Sequence, residues 1–134
     1  MDDVDFTGSR IDHLNIAVPD LARAVAFYEP VLAAIGIGTT MTVPASPELP
    51  AMHAFGSAHK PYFWLIDGGV VGSNMHLAFT VDDRAAVRAF YDTALAHGAT
   101  TLHAPGEHPM YHDTYHGAFV ADPHGINLEA VCHR

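Results

Sequence analysis

One cysteine, one lysine and no long apolar run narrow the functions open to this chain before any motif is read. Cys132 has no partner for an internal disulfide, and one sulfur cannot build a thiolate metal site. Lys60 and five arginines leave a formal charge of −9, so there is no basic face to neutralise phosphates. Nucleic-acid binding is therefore not expected, nor is binding to an anionic membrane surface. No segment approaches the roughly 20 apolar residues that cross a bilayer. The opening MDDVDFTGSR is acidic and lacks an apolar centre. It does not read as a signal peptide, and a cytoplasmic protein is expected.

Histidine, in contrast, is abundant, with 11 residues in a chain of 134. Hydrophobic residues make up 49% and charged residues 16%, a balance that favours a well-buried core over disorder. The size suits one domain over residues 1–134. Within it, residues 11–37 and 74–100 superpose without a gap. The matches include His13/His76, Leu14/Leu77, Val18/Val81, Asp20/Asp83, Phe27/Phe90, Tyr28/Tyr91 and Leu32/Leu95. Two modules follow, about 10–70 and 74–134, each marginal alone.

Each module opens on an alternating stretch. Leu14, Ile16 and Val18 point one way and His13, Asn15 and Ala17 the other; residues 75–81 repeat the arrangement. Asp20 and Asp83 are placed to cap helices. Leu21, Val25, Tyr28 and Leu32, and then Val87, Phe90, Tyr91 and Leu95, follow at helical spacing. Gly36 and Gly98 close the helices, and Pro30 predicts a kink or break in the first. Strands are expected at 52–56 and 62–67 in the first half, and at 99–103, 116–121 and 126–132 in the second. Residues 42–51, with Pro44, Pro47 and Pro50, read as an irregular loop or lid. Each half is thus strand, helix and about three strands.

In the last strand Leu128, Ala130 and Cys132 alternate with Asn127, Glu129 and Val131. With Leu128 toward the helices, Glu129 shares a face with His13 and His76. A lone histidine among 11 is ordinarily a surface or hydrogen-bonding residue. His13 and His76 stand apart because they are repeat-equivalent on the non-core face, and Glu129 because a carboxylate in an apolar strand needs a partner. Two imidazoles and a carboxylate suit Fe(II), Mn(II), Zn(II) or Ni(II) and leave positions open for a substrate.

The repeat, with IDHLNIAVPDLARAVAFY at one end and YHGAFVADPHGINLEAVCH at the other, resembles the vicinal oxygen chelate superfamily over nearly the whole chain. That group includes glyoxalase I, extradiol dioxygenases and bleomycin resistance proteins. The resemblance implies an α+β fold of two βαβββ modules, joined into a half-open eight-stranded barrel-like mixed sheet with the helices outside. It also implies a divalent metal inside, a small substrate that chelates it through vicinal oxygens, and a homodimer. Members of the isomerase type take a fourth ligand from the last strand of the first module. Setting HAFG at 53–56 against GAFV at 117–120 places Leu65 there, which cannot ligate, with Asp67 two residues on. Three ligands resemble the extradiol dioxygenases more than glyoxalase I.

His112 and Tyr115 fall where the resembling sequences carry a His and a Tyr. Beside a metal they could serve as a base and as a hydrogen-bond donor to a developing oxyanion, or merely cap their own loop. Phe63 and Leu65 are expected to give the pocket an apolar wall, and Trp64 to face the core. His133 has no argument beyond abundance. The leading expectation is a metal-dependent enzyme of dioxygenase or lyase/isomerase type. The alternative is a binding protein that sequesters an antibiotic or small metabolite in the same cup. Bleomycin-type binders lack the metal triad, so His13, His76 and Glu129 favour the enzyme.

Overall fold

A computed structural model describes Asp5 and residues 7–134. Its element order is β1 Leu14–Val18, α1 Leu21–Ala33, β2 Gly38–Val43, β3 Met52–Ser57 and β4 Lys60–Asp67, then β5 His76–Thr80, α2 Arg84–Ala96, β6 Thr100–Glu107, β7 His116–Ala121 and β8 Asn127–Cys132. This is the strand–helix–three-strand plan twice over. The strands form two four-stranded sheets, ordered β1-β4-β3-β2 and β5-β8-β7-β6. The expected α+β fold of two βαβββ modules is observed, its eight strands lying as one open four-stranded sheet in each module. Among the described residues every strand pairing stays within its own module.

Local chemistry sets the helix ends. Asp20 accepts from the Arg23 backbone N–H at 3.1 Å and Asp83 from that of Ala86 at 2.8 Å, each satisfying an orphan donor of the first turn. At the C-termini Gly36 and Gly98 take φ values of 81° and 97°. Across Gly98 the Ala99 N–H reaches back to the Ala94 carbonyl at 3.0 Å. Pro30 does not break α1, which continues to Ala33. The carbonyl it leaves without a helical donor belongs to Ala26, on the exposed side, where solvent can reach it.

The buried helix faces are Ala24, Phe27, Tyr28, Val31 and Leu32 in α1, and Val87, Phe90 and Ala94 in α2. They are turned from the predicted stripe: Leu21, Val25 and Tyr91 are only half-buried, and Leu95 is exposed. One core cluster takes residues from both modules, including Ile16, Phe63, Leu65, Phe79, Leu128 and Cys132. A polar staple joins the modules as well. The buried Tyr28 hydroxyl on α1 donates to Asp122, whose other carboxylate oxygen accepts the backbone N–H groups of His124 and Ile126. Burial and the neighbouring carboxylate hold Tyr28 far above the ordinary tyrosine pKa.

The expected loop after β2 spans 44–51, where the Ser46 N–H donates to the Leu49 carbonyl at 2.8 Å. Ala58 and His59, at φ 49° and 70°, make the turn between β3 and β4. This turn comes earlier than the sequence suggested, so β4 starts at Lys60.

Candidate functional site

The second module builds its site on three neighbouring strands. In the parallel β5–β8 pair Ala78 lies opposite Glu129, which sets His76, two residues earlier, on the same face as Glu129. Across β7 the partner of Glu129 is Phe119. The Glu129 side chain is fully buried, so its charge must be met locally. Oε1 lies 2.8 Å from His76 Nε2, and Oε2 accepts the Tyr115 hydroxyl. The His76 ring also packs on Phe119 at 5.6 Å between centroids. Burial, then the hydrogen bond to Glu129, raises Tyr115 well above the ordinary tyrosine range, so the phenol keeps its proton and remains a donor.

Gly117 makes this packing possible. A Cβ there would stand 2.9 Å from Glu129 Oε2, closer than side chains tolerate, and a tight 3.2 Å from the Ala130 carbonyl. A glycine inside a strand often marks such a close approach, which was the available sequence signal.

Beside the carboxylate sits a histidine pair. His112 Nε2 lies 2.9 Å from His133 Nδ1 with the rings stacked, and both rings face Tyr115 at 5.4 and 5.5 Å. The direction of this hydrogen bond follows from its neighbour. The Thr114 backbone N–H, which can only donate, points at His112 Nδ1 at 3.2 Å. Nδ1 of His112 is therefore the acceptor and its Nε2 carries the proton toward His133 Nδ1. In the neutral pair, His133 then holds its own proton on Nε2. Desolvation, followed by the charge of His112, lowers His133 below the usual histidine pKa. His133 lines a cleft of about 460 Å³ with Ala78, Thr80 and Arg134. It lies four residues beyond Glu129, and period-two alternation was the signal that could have placed it on that face.

The first module differs. His13 pairs with Asp12 at 2.7 Å, and Asp12 also accepts from Lys60. No group of three His, Cys, Asp or Glu side chains comes within metal-holding range among the described residues of one chain. Glu129 and His76 are together, and His13 is apart from them.

Phe63 and Leu65 are corrections. Both are buried in the core, Phe63 against Tyr28 and Phe79. The side chain on the concave face is Trp64, which lines a cleft of about 390 Å³ with His13, Asn15, Met52 and Pro61. Strand pairing explains the slip. Asn15 lies opposite Trp64 as its repeat-equivalent Ala78 lies opposite Glu129, so Trp64, not Leu65, occupies Glu129's place. A one-residue error in register moves every side chain to the other face. Asp67 is no substitute ligand here, since its Oδ1 accepts the Leu21 backbone N–H at the start of α1.

An imidazole and a buried carboxylate converging at hydrogen-bond distance are a donor pair that fits a divalent cation in place of the proton they share. Completing a three-donor set requires one more ligand.

The sequence model of the Glyoxalase/Bleomycin resistance protein/Dioxygenase superfamily matches residues 10–130. No curated protein matches the chain significantly. Among solved structures, a glyoxalase/bleomycin resistance protein from Albidiferax ferrireducens is 23% identical. The match covers 92% of this chain and 99% of that one, with a TM-score of 0.76. A lactoylglutathione lyase from Agrobacterium tumefaciens is 21% identical over 93% and 94%, TM-score 0.64. A glyoxalase I variant from Zea mays is 22% identical over 90% of this chain but 45% of its own, TM-score 0.70. At these identities the structural matches establish the fold alone.

Proposed function

Because the chain belongs to the Glyoxalase/Bleomycin resistance protein/Dioxygenase superfamily, we propose that it is a divalent-metal-dependent enzyme acting on a small substrate with vicinal oxygens. The observation that carries this reading is the fully buried Glu129, held between His76 and Tyr115. A buried carboxylate is costly, and one with both oxygens engaged beside an imidazole is well placed for ligation.

In this reading Glu129 and His76 hold the cation, one of Fe, Mn, Zn or Ni, and the third donor is His13 of a second copy in a homodimer. The bound ion would supply Lewis-acid polarisation of the substrate oxygens. Tyr115 fixes the carboxylate by donating its one O–H to Oε2. The His112–His133 pair stands beside Tyr115 as the proton carrier of this reading. Three protein donors fit extradiol-type chemistry, whereas isomerase-type ligation would lack its fourth donor, since Trp64 stands at that place. A cytoplasmic location and a single domain over residues 1–134 belong to the same proposal.

Sequestration without chemistry is the second reading. It is favoured by Trp64, which stands where a fourth donor would be needed for isomerase-type ligation.

Complementation between two inactive variants tests the composite site. His13→Ala and Glu129→Gln are each expected to purify without stoichiometric metal. Unfolded together and refolded as a mixture, they should regain roughly a quarter of the wild-type content, since half the dimers are mixed and each holds one intact site. No recovery alongside monomeric wild type would remove the composite site. Metal-free wild-type protein after growth with each candidate ion would leave the sequestration reading.

A further inference from the structure

We propose that the cleft of the first module binds an uncharged, planar aromatic ring stacked on Trp64. The argument starts from register. The two concave faces are equivalent, and at one equivalent point the second module carries a carboxylate and the first an indole. The flanking strand shows the same exchange. Ala54 lies opposite Trp64 as Phe119 lies opposite Glu129, so Met52 occupies the place of Gly117. The small residue leaves room for a buried charge. The large thioether instead lines the same cleft as the indole.

The rest of the cleft narrows the ligand. Phe63 and Leu65 are buried, whereas Trp64 between them is only half-buried, with Met52 and Pro61 beside it. The cleft, of about 390 Å³, is open to solvent, so a flat ring can reach the indole from outside. A flat indole face gains most from a flat ring laid on it, by offset stacking over a large apolar area. The polar end holds Asp12, Lys60, His13 and Asn15. Lys60 is the only lysine of the chain and is already held by Asp12, so no uncompensated cation awaits an anion there. Balanced charges at one end and an apolar floor at the other suit a ring with a hydroxyl or amide on one edge.

As the substrate class of the composite site, this inference rests on the reading above. As a ligand cleft of one chain, it stands on the first module alone. The probes are 2-naphthol and its saturated counterpart decahydro-2-naphthol, which share a hydroxyl and differ in planarity. Affinities come from equilibrium dialysis, with quenching of Trp64, the only tryptophan, as a second readout.

Wild-type protein is expected to prefer 2-naphthol by roughly fivefold, the factor that ring pairing supplies. Trp64→Leu should lose that preference and Trp64→Phe keep most of it, which separates loss of the ring from loss of the fold. Equal affinity for the two probes, or an unchanged preference in Trp64→Leu, overturns the inference. His76→Ala separates this inference from the metal reading. A preference for 2-naphthol that survives metal loss upholds the cleft whatever becomes of the metal. Normal metal content in wild type with no preference sinks the cleft alone.

Discussion

The two modules share a plan and divide the chemistry. His76 meets a fully buried carboxylate, while its counterpart His13 sits with an exposed aspartate. Glu129 stands in one concave face and Trp64 at the matching point of the other. Gly117 faces Met52 across the comparison, and the buried Tyr28 faces the half-buried Tyr91, which bonds the Thr101 hydroxyl at 2.9 Å. The difference teaches that repetition fixes where side chains point but not what they do. One face has become polar and buried at its centre, the other apolar and open.

The sharpest test of this division is at the small residue. Gly117→Ala drives a methyl into Glu129 Oε2, so metal affinity should fall about 10- to 100-fold, the cost of disturbing what holds a ligand. Overpacking should cost about 1–3 kcal/mol in chemical denaturation. Met52→Ala, at the equivalent place, should leave metal content unchanged. If both variants behave alike, the modules are not divided as described.

A second comparison concerns the paired tyrosines. Tyr28→Phe removes a donor from the buried Asp122 and is expected to cost about 1.5 kcal/mol of unfolding free energy. Tyr91→Phe loses a bond near the surface and should cost about 0.5 kcal/mol or less. Equal losses would mean that the staple between the modules carries no more weight than a surface contact.

The smallest effect is in pH. Desolvation lowers His53 in the first module, and His116 and His133 in the second, below the ordinary histidine value. The unfolded chain then binds protons before the folded one does, so these groups favour unfolding as pH falls through about 6.5. Melting temperature should accordingly drop modestly between neutral pH and pH about 5.5. His133→Gln should flatten the drop more than substitution of the exposed His97, and the reverse order would contradict the assigned burial.

Much of this was legible in the sequence because period and capping are local. The β1 and β5 stretches, the Asp20 and Asp83 caps and the alternation that sets Glu129 opposite Leu128 all follow from neighbours in the chain. The placement of Phe63, Leu65 and Trp64 was not. It depends on how β4 pairs with β1, and an alignment anchored on HAFG and GAFV was one residue out. The partnership of His112 and His133 was hidden for a similar reason, since 21 residues separate two rings that a hairpin brings together. The division into two sheets lay beyond any local pattern, because strand alternation is the same in either arrangement.

The Tyr28–Asp122 bond has a consequence for heredity as much as for stability. Asp122 shapes the bend that launches β8, and one of its donors comes from the opposite repeat. Neither module alone contains both partners of this bond. Substitutions in α1 that displace the phenol will therefore be felt at the start of the final strand, far from where they were made. A breeder of variants who recombines halves from different relatives must carry Tyr28 and Asp122 across together.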